Sequence, residues 1–102
     1  MTYRVMVRSR PKPDDREAFE KAFEQVSQTV KGTPGHVRDE LLRDAEDDSL
    51  YVLYAEWESE EKFLAWENDP SHLAMAAPML PYVSDTFEER RIFQVRVRVD
   101  SH

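Results

Sequence analysis

A chain of 102 residues is long enough for one domain with its own core, so it needs no disulfide or metal staple to fold. Its 40% hydrophobic and 34% charged residues have the balance of a soluble globular protein, and no apolar run nears the roughly 20 residues of a membrane helix. A net charge of -7 excludes a general nucleic-acid binder, and the lack of cysteine excludes thiolate metal sites and suits a reducing cytoplasm.

Tyr3 to Arg10 alternate in period two, with Tyr3, Val5 and Val7 on an apolar face and Arg4, Met6, Arg8 and Arg10 on a mostly basic one. That is a strand pattern, entered at once with no signal-peptide core before it. Pro11 and Pro13 break it, and Asp14 with Glu17 has the spacing of a capping box. The helix that follows is predicted to run to about Lys31, with Phe19, Ala22, Phe23, Val26 and Val30 on one stripe. Gly32, Thr33, Pro34 and Gly35 end it.

His36 to Asp44 reads as a polar edge strand, with Val37 and Leu41 in one phase and Leu42 in the other. An acidic turn at Ala45 to Ser49 leads into Leu50 to Trp57, where both faces are apolar. Leu50, Val52 and Tyr54 lie on one side, and Tyr51, Leu53, Ala55 and Trp57 on the other. A strand of this kind belongs mid-sheet, covered above and below. Ser59 with Glu60 and Glu61 then starts a helix, a hydroxyl for the cap and acids for the positive end. Phe63, Leu64 and Trp66 form its buried stripe, and it stops near Asn68.

Asp69 and Pro70 read as the cap and first position of a second short helix, whose apolar residues are Leu73, Met75, Ala76, Met79 and Leu80. Pro78 and Pro81 limit it. The last strand is predicted from about Thr86 to Val99, with Phe93, Val95, Val97 and Val99 facing one way and Ile92, Gln94, Arg96 and Arg98 the other. The order strand, helix, strand, strand, helix pair, strand predicts an α+β fold in one domain over residues 1–102. It is a ferredoxin-like βαββαβ antiparallel sheet with helices on one face. The other face carries apolar residues mid-sheet and arginines toward the outer strands, too apolar to stay wet, so a homodimer packed sheet to sheet is expected.

A pocket where the central strand meets its helix, at Trp57, is the candidate functional site. His72 is the candidate base, because imidazole titrates near neutral pH. Trp57 and Trp66 can stack on a flat aromatic ligand, Tyr51 shares the phase of Trp57, and His36 stands at a strand entry. Arg4, Arg8, Arg96 and Arg98 are expected to pair with acids such as Glu40 or Glu89. His102 is terminal, and three scattered histidines make no metal motif. Two glycines cannot build a phosphate-cradling loop.

The opening strand and helix, the turn Thr33-Pro34-Gly35, the segment Tyr54-Ala55-Glu56-Trp57-Glu58-Ser59-Glu60 and Asp69-Pro70-Ser71-His72 resemble the antibiotic biosynthesis monooxygenase family. The resemblance covers Tyr3 to Val99. It implies a dimeric α+β barrel with one cavity per subunit between sheet and helices. Several members oxidise anthrones, hydroquinones or related polyketide aromatics with molecular oxygen and no metal or flavin; others degrade haem. Fold membership alone does not choose among them. Trp57 matches the tryptophan of the polyketide-type members. Leu53 stands where they have asparagine, and Phe63 where they have tyrosine. The haem-degrading branch needs a first-strand asparagine, which Tyr3 to Arg10 lack, and a histidine where this chain has Ala76.

The resemblance and the residues together lead to the expectation of a cofactor-independent monooxygenase of an aromatic polyketide, anthrone or hydroquinone. His72 and Trp57 would be catalytic, and Tyr51, Leu53, Phe63, Trp66 and His36 would contact substrate. No cofactor, metal, nucleic acid or membrane partner is expected. A non-catalytic aromatic-binding or cyclase-like auxiliary protein is the alternative, since Leu53 and Phe63 would bind without activating. A haem-binding protein, with His72 or His36 as axial ligand, is the third.

Overall fold

A computed structural model describes residues 2–83 and 87–101. Strand β1 (Tyr3–Ser9) leads through a 3-10 turn at Pro13–Asp15 into α1 (Arg16–Val30). Strands β2 (His36–Arg43) and β3 (Tyr51–Trp57) form a hairpin, then α2 (Glu60–Glu67), α3 (His72–Ala76) and α4 (Leu80–Val83) lead to β4 (Phe87–Gln94). The sheet is antiparallel in the order β2-β3-β1-β4, the ferredoxin-like arrangement that the element order predicts. Strand β3 lies inside the sheet, as its two apolar faces require, and the polar β2 lies at an edge. No helix among the described residues is long and apolar enough to cross a membrane.

Register decides which residues meet the helices. Tyr3, Val5, Val7 and Ser9 of β1 stand opposite Trp57, Ala55, Leu53 and Tyr51 of β3, and these rows share the helix-covered face. The core beneath the helices falls into two clusters. Val5, Val30, Trp57 and Phe63 form one, and Phe19, Ala22, Tyr51 and Met79 the other. Both ends of the inward row of β3 are bulky and buried, Tyr51 at 2% and Trp57 at 1% exposure, while Leu53 and Ala55 between them are smaller. The helices therefore rest on two aromatic supports with a gap over the middle of the sheet.

Local signals succeed and fail for identifiable reasons. Ser59 caps α2 through a hydrogen bond from the Lys62 amide at 3.2 Å. The capping box expected of Asp14 and Glu17 does not form. Asp14 sits in the 3-10 turn, α1 starts at Arg16, and no side chain caps it. Asp69 acts one step earlier than predicted: its Oδ1 accepts from the Ser71 amide and hydroxyl, and α3 begins at His72. The turn between β2 and β3 is held by Asp44 and Asp47, which accept amides of the loop. Arg10 and then Ser49 hold the Asp47 carboxyl down to about 2.

The last strand is shorter than its alternation suggested. Strand β4 ends at Gln94; beyond it the Val95 amide still bonds Thr2 O, and Val97 and Val99 are 83% and 87% exposed. Hydrophobic alternation is a property of one strand, whereas a ladder needs a neighbour of equal length. The predicted start at Thr86 lies outside the described residues, as do His102 and the side chain of Leu73.

The arginines do not gather toward the outer strands, because β1 with Arg4 and Arg8 is an inner strand. Arg4 pairs with Glu56, Arg8 with Glu88 and Arg98 with Asp100, rather than with Glu40 or Glu89. Val37 and Leu41 also part company, since a bulge between His36 and Arg38 shifts the register.

The turn before β2 depends on Gly35. Its φ of +89° suits glycine, and a Cβ there would stand 2.5 Å from Lys62 Cδ and 2.6 Å from Lys62 Cβ on α2. The Glu58 amide also donates to Gly35 O at 2.8 Å, tying this turn to the end of β3. Gly35→Ala is therefore expected to lower the thermal midpoint by about 5–15 °C, from about 1–2 kcal/mol of backbone strain plus the clash. A midpoint equal to that of the parent protein would contradict the close approach.

Candidate functional site

The gap over the middle of the sheet is a cavity of about 310 Å³. Its floor is Val5, Val7, Leu53 and Ala55 from the two inner strands, and its roof includes Phe23, Val26 and Val30 of α1. Trp57, Phe63 and Trp66 wall one side, and His72, Ala76 and Met79 line it from the second helical connection. The strand-to-helix joint predicted from Trp57 is thus part of this wall. Leu53 and Phe63 both line the cavity, and they bring apolar surface to it.

The aromatic wall has a definite order. The His36 ring meets Trp57 edge-on at 5.1 Å, Trp57 tilts against Trp66 at 5.5 Å, and Trp66 meets His72 edge-on at 4.3 Å. Phe63 fills the angle between the two tryptophans, 5.6 Å from Trp57 and 6.1 Å from Trp66. The two histidines named from the sequence, 36 residues apart, therefore flank a single pair of indoles. Edge-to-face contacts of this kind add about 0.5–1.5 kcal/mol each beyond burial and hold the rings in place. The Trp66 Nε1 and His72 Nδ1 atoms are buried without a hydrogen-bond partner among the described residues. A buried polar atom left so is costly, and a ligand group that met it would recover that cost.

Three polar residues reach the cavity that sequence reading did not single out. Arg90 of β4 makes a two-point ion pair with Glu67 of α2, at 2.7 and 2.6 Å, and lies over the Phe63 ring at 5.4 Å. The pair buttons the last strand to the helix that carries the aromatic wall. Asp39 of β2 lines the cavity beside Ala55 and accepts from His36 Nε2 at 2.8 Å. Alternation along β2 would put residues 36 and 39 on opposite faces, so no sequence signal pointed to this pair.

Two of the named site residues do not line the cavity: His36 stands behind Trp57 and Asp39, and Tyr51 lies apart. It shares the inward face with Trp57, but its hydroxyl donates to Glu20 at 2.6 Å and its ring packs edge-on against Phe19. It lines a separate, more open depression with Glu20, Glu24, Leu41 and Arg43. Burial, then the Glu20 carboxylate, holds its hydroxyl above the ordinary phenol range. Tyr51 is a support of the second core cluster and does not line the aromatic cavity.

Comparison with known proteins adds the following. The family model described as Antibiotic biosynthesis monooxygenase matches residues 2–78. Protein SchA of Streptomyces halstedii is 41% identical over 69 residues, which is 68% of this chain and 18% of that protein. A haem oxygenase (mycobilin-producing) of Mycobacterium tuberculosis is 37% identical over 58 residues, 57% of this chain and 55% of that one. This chain thus spans under a fifth of the former and about half of the latter. Among solved structures, SnoaB, a cofactor-independent oxygenase from Streptomyces nogalater, superposes with a TM-score of 0.80 over 98% of both chains at 24% identity. That likeness establishes the fold.

The different surroundings of Tyr51 and Trp57 separate support from site. Tyr51→Phe is expected to cost about 1 kcal/mol of unfolding free energy, the worth of one hydrogen bond, and to leave aromatic-ligand affinity unchanged. Chemical denaturation and tryptophan-quenching titrations measure the two. A loss of ligand affinity would return Tyr51 to the cavity.

Proposed function

The chain belongs to the antibiotic biosynthesis monooxygenase family, and from that premise we propose that it is a cofactor-independent oxygenase of a flat, electron-rich aromatic, such as an anthrone or hydroquinone of polyketide type. The observation that carries this reading is the wall of Trp57, Phe63 and Trp66 around an apolar cavity, with His72 at its side. The cavity of about 310 Å³ is lined mostly by apolar side chains, which suits it to an apolar ring system. It lies at the small end of ligand pockets, about 300–1,000 Å³, which favours a compact ring system of two or three rings. The likeness to a cofactor-independent oxygenase supports the reaction class.

Chemistry without a cofactor requires a substrate that becomes electron-rich on losing a proton. For an anthrone, the methylene carbon gives up a proton and the resulting enolate carbon bonds to molecular oxygen. The peroxide takes up a proton. Loss of the second C–H proton with cleavage of the O–O bond then leaves a new carbonyl and water. One oxygen atom ends in the quinone and the other in water, so molecular oxygen is the only oxidant. The protein's part is to orient the ring, exclude water and exchange protons. Trp57 and Trp66 hold the ring plane, and His72, with its buried Nδ1, serves the proton exchange with the peroxide.

A non-catalytic aromatic-binding protein is the second reading, favoured by the apolar side chains of Leu53 and Phe63 in the cavity lining. A haem reading draws on the haem oxygenase relative. Ala76, however, brings only a methyl group to the lining where that branch carries histidine, so no step is drawn through haem. The reading also includes a second copy of this chain on the far face of the sheet. Leu42 and Phe93 there are 43% and 42% exposed, apolar surface that such a copy would cover. Light scattering checks this part, and a monomeric mass would overturn it.

Oxygen uptake by the metal-stripped, flavin-free protein on a panel of anthrones and hydroquinones tests the activity. Uptake that needs folded protein, and falls about a hundredfold in His72→Ala and in Trp57→Phe, is the expected result. Saturable tryptophan quenching without any uptake would transfer the conclusion to the binding reading.

A further inference from the structure

Strand β2 contains one residue too many for its ladder. His36 stands opposite Trp57, Arg38 opposite Glu56 and Asp39 opposite Ala55, which leaves Val37 as the extra residue of a bulge. Val37 is 47% exposed. Because of that insertion, His36 and Asp39 share the helix-covered face although they are three residues apart. The His36 Nε2–Asp39 Oδ1 distance is 2.8 Å, and the two side chains are 7% and 14% exposed. A carboxylate facing an apolar cavity is expensive to desolvate, and one donor meets only part of that demand. Among the described residues no second donor reaches Asp39, so its Oδ2 is available to a ligand.

We propose that Asp39 is the proton acceptor of the cavity, taking a proton from the acidic O–H or C–H of the bound aromatic, with His36 as the positioning residue. The His36 Nε2–H donates to Oδ1 and fixes the carboxylate plane, while the edge contact of the imidazole with Trp57 fixes His36 itself. Oδ2 then points its lone pair at the substrate. The proton moves to Oδ2, the bonding pair stays on the substrate as phenolate or enolate, and Asp39 returns the proton in the next half of the cycle. The step transfers a proton only and needs no further reactant. It rests on the reading that the cavity binds an ionisable aromatic. The competing account is an edge anchor, in which the pair merely pins β2 to Trp57.

A hydroxyanthraquinone, whose visible band moves to the red when its phenol ionises, separates the two without relying on turnover. Asp39→Asn keeps an oxygen that accepts from His36 but carries no charge. A negative charge beside the phenol opposes its ionisation, so the bound dye should ionise about one pH unit or more higher on the parent protein than on Asp39→Asn. Glu67, Arg90 and His72, the other charged or titratable side chains of the cavity, are identical in both proteins. Tyr54 sends its hydroxyl to Glu56 on the far face. Oxygen uptake should fall about a hundredfold in Asp39→Asn with dye affinity retained. His36→Phe, which keeps a ring on Trp57, should lower kcat more than it changes KM.

Equal ionisation of the dye on both proteins overturns the proposal and leaves the edge anchor. So does undiminished uptake by Asp39→Asn. Should Asp39→Asn fail to fold, Asp39→Ser carries the same comparison. A dye that does not bind the parent protein at all refutes the aromatic cavity itself, and this proposal with it. A shifted ionisation without any oxygen uptake supports Asp39 as acceptor and sinks only the oxygenase reading.

Discussion

The site depends on unequal side-chain size along one row of one strand. Four residues of β3 face the helices in the order Tyr51, Leu53, Ala55, Trp57, bulky at the ends and small between. Tyr51 carries the helical layer on Phe19, Ala22 and Met79, and Trp57 carries it on Val30 and Phe63. Close packing allows helices to approach a sheet only as far as the largest side chains permit. Two aromatic supports at the ends of the row thus leave the cavity over Leu53 and Ala55. The same row supplies one of the four buried residues of each core cluster, so the fold and the cavity share one cause.

A second consequence of this geometry is electrostatic. The cavity floor comes from inner strands whose inward residues are apolar, and polar groups enter only from its margins. Asp39 arrives from the edge strand β2, Arg90 from the opposite edge strand β4, and Glu67 and His72 from the helical side. Inside a low-dielectric space each such group interacts strongly and is costly if unpaired. Glu67 and Arg90 satisfy each other through two hydrogen bonds. Asp39 and His72 keep free capacity, which is the condition for meeting a ligand.

The helix-free face of the sheet follows a different logic. Arg4 and Arg38 converge on Glu56, which also accepts from the Tyr54 hydroxyl at 2.9 Å, while Arg91 pairs with Glu89. Leu42 and Phe93 stay uncovered there beside exposed charged side chains such as Arg38 and Arg91. Burial of the two apolar residues would be favourable, and the paired charges soften the cost of covering the face. Helix-side and far-side residues of β3 thus do separate jobs, one lining the cavity and the other forming a surface.

By itself the sequence determined element order, the central place of the Leu50 to Trp57 strand, the edge place of the polar strand and the aromatic helix that follows Ser59. These properties are set by local periodicity and capping, which act over a few residues. Trp57, Phe63, Trp66 and His72, named from the sequence and its family resemblance, line one cavity in the fold. Tertiary structure alone decided the rest. A one-residue bulge at Val37 reversed the facing of every residue before it and brought His36 to Asp39, against the alternation that a sequence reader must assume. The pairing of Tyr51 with Glu20 and of Arg90 with Glu67 joins residues on different elements. Strand β4 ends at Gln94, although its alternation continues to Val99, because a ladder needs a paired neighbour as well as a pattern. In each case the deciding partner lies far away in the chain, and periodicity within one segment carries no information about it.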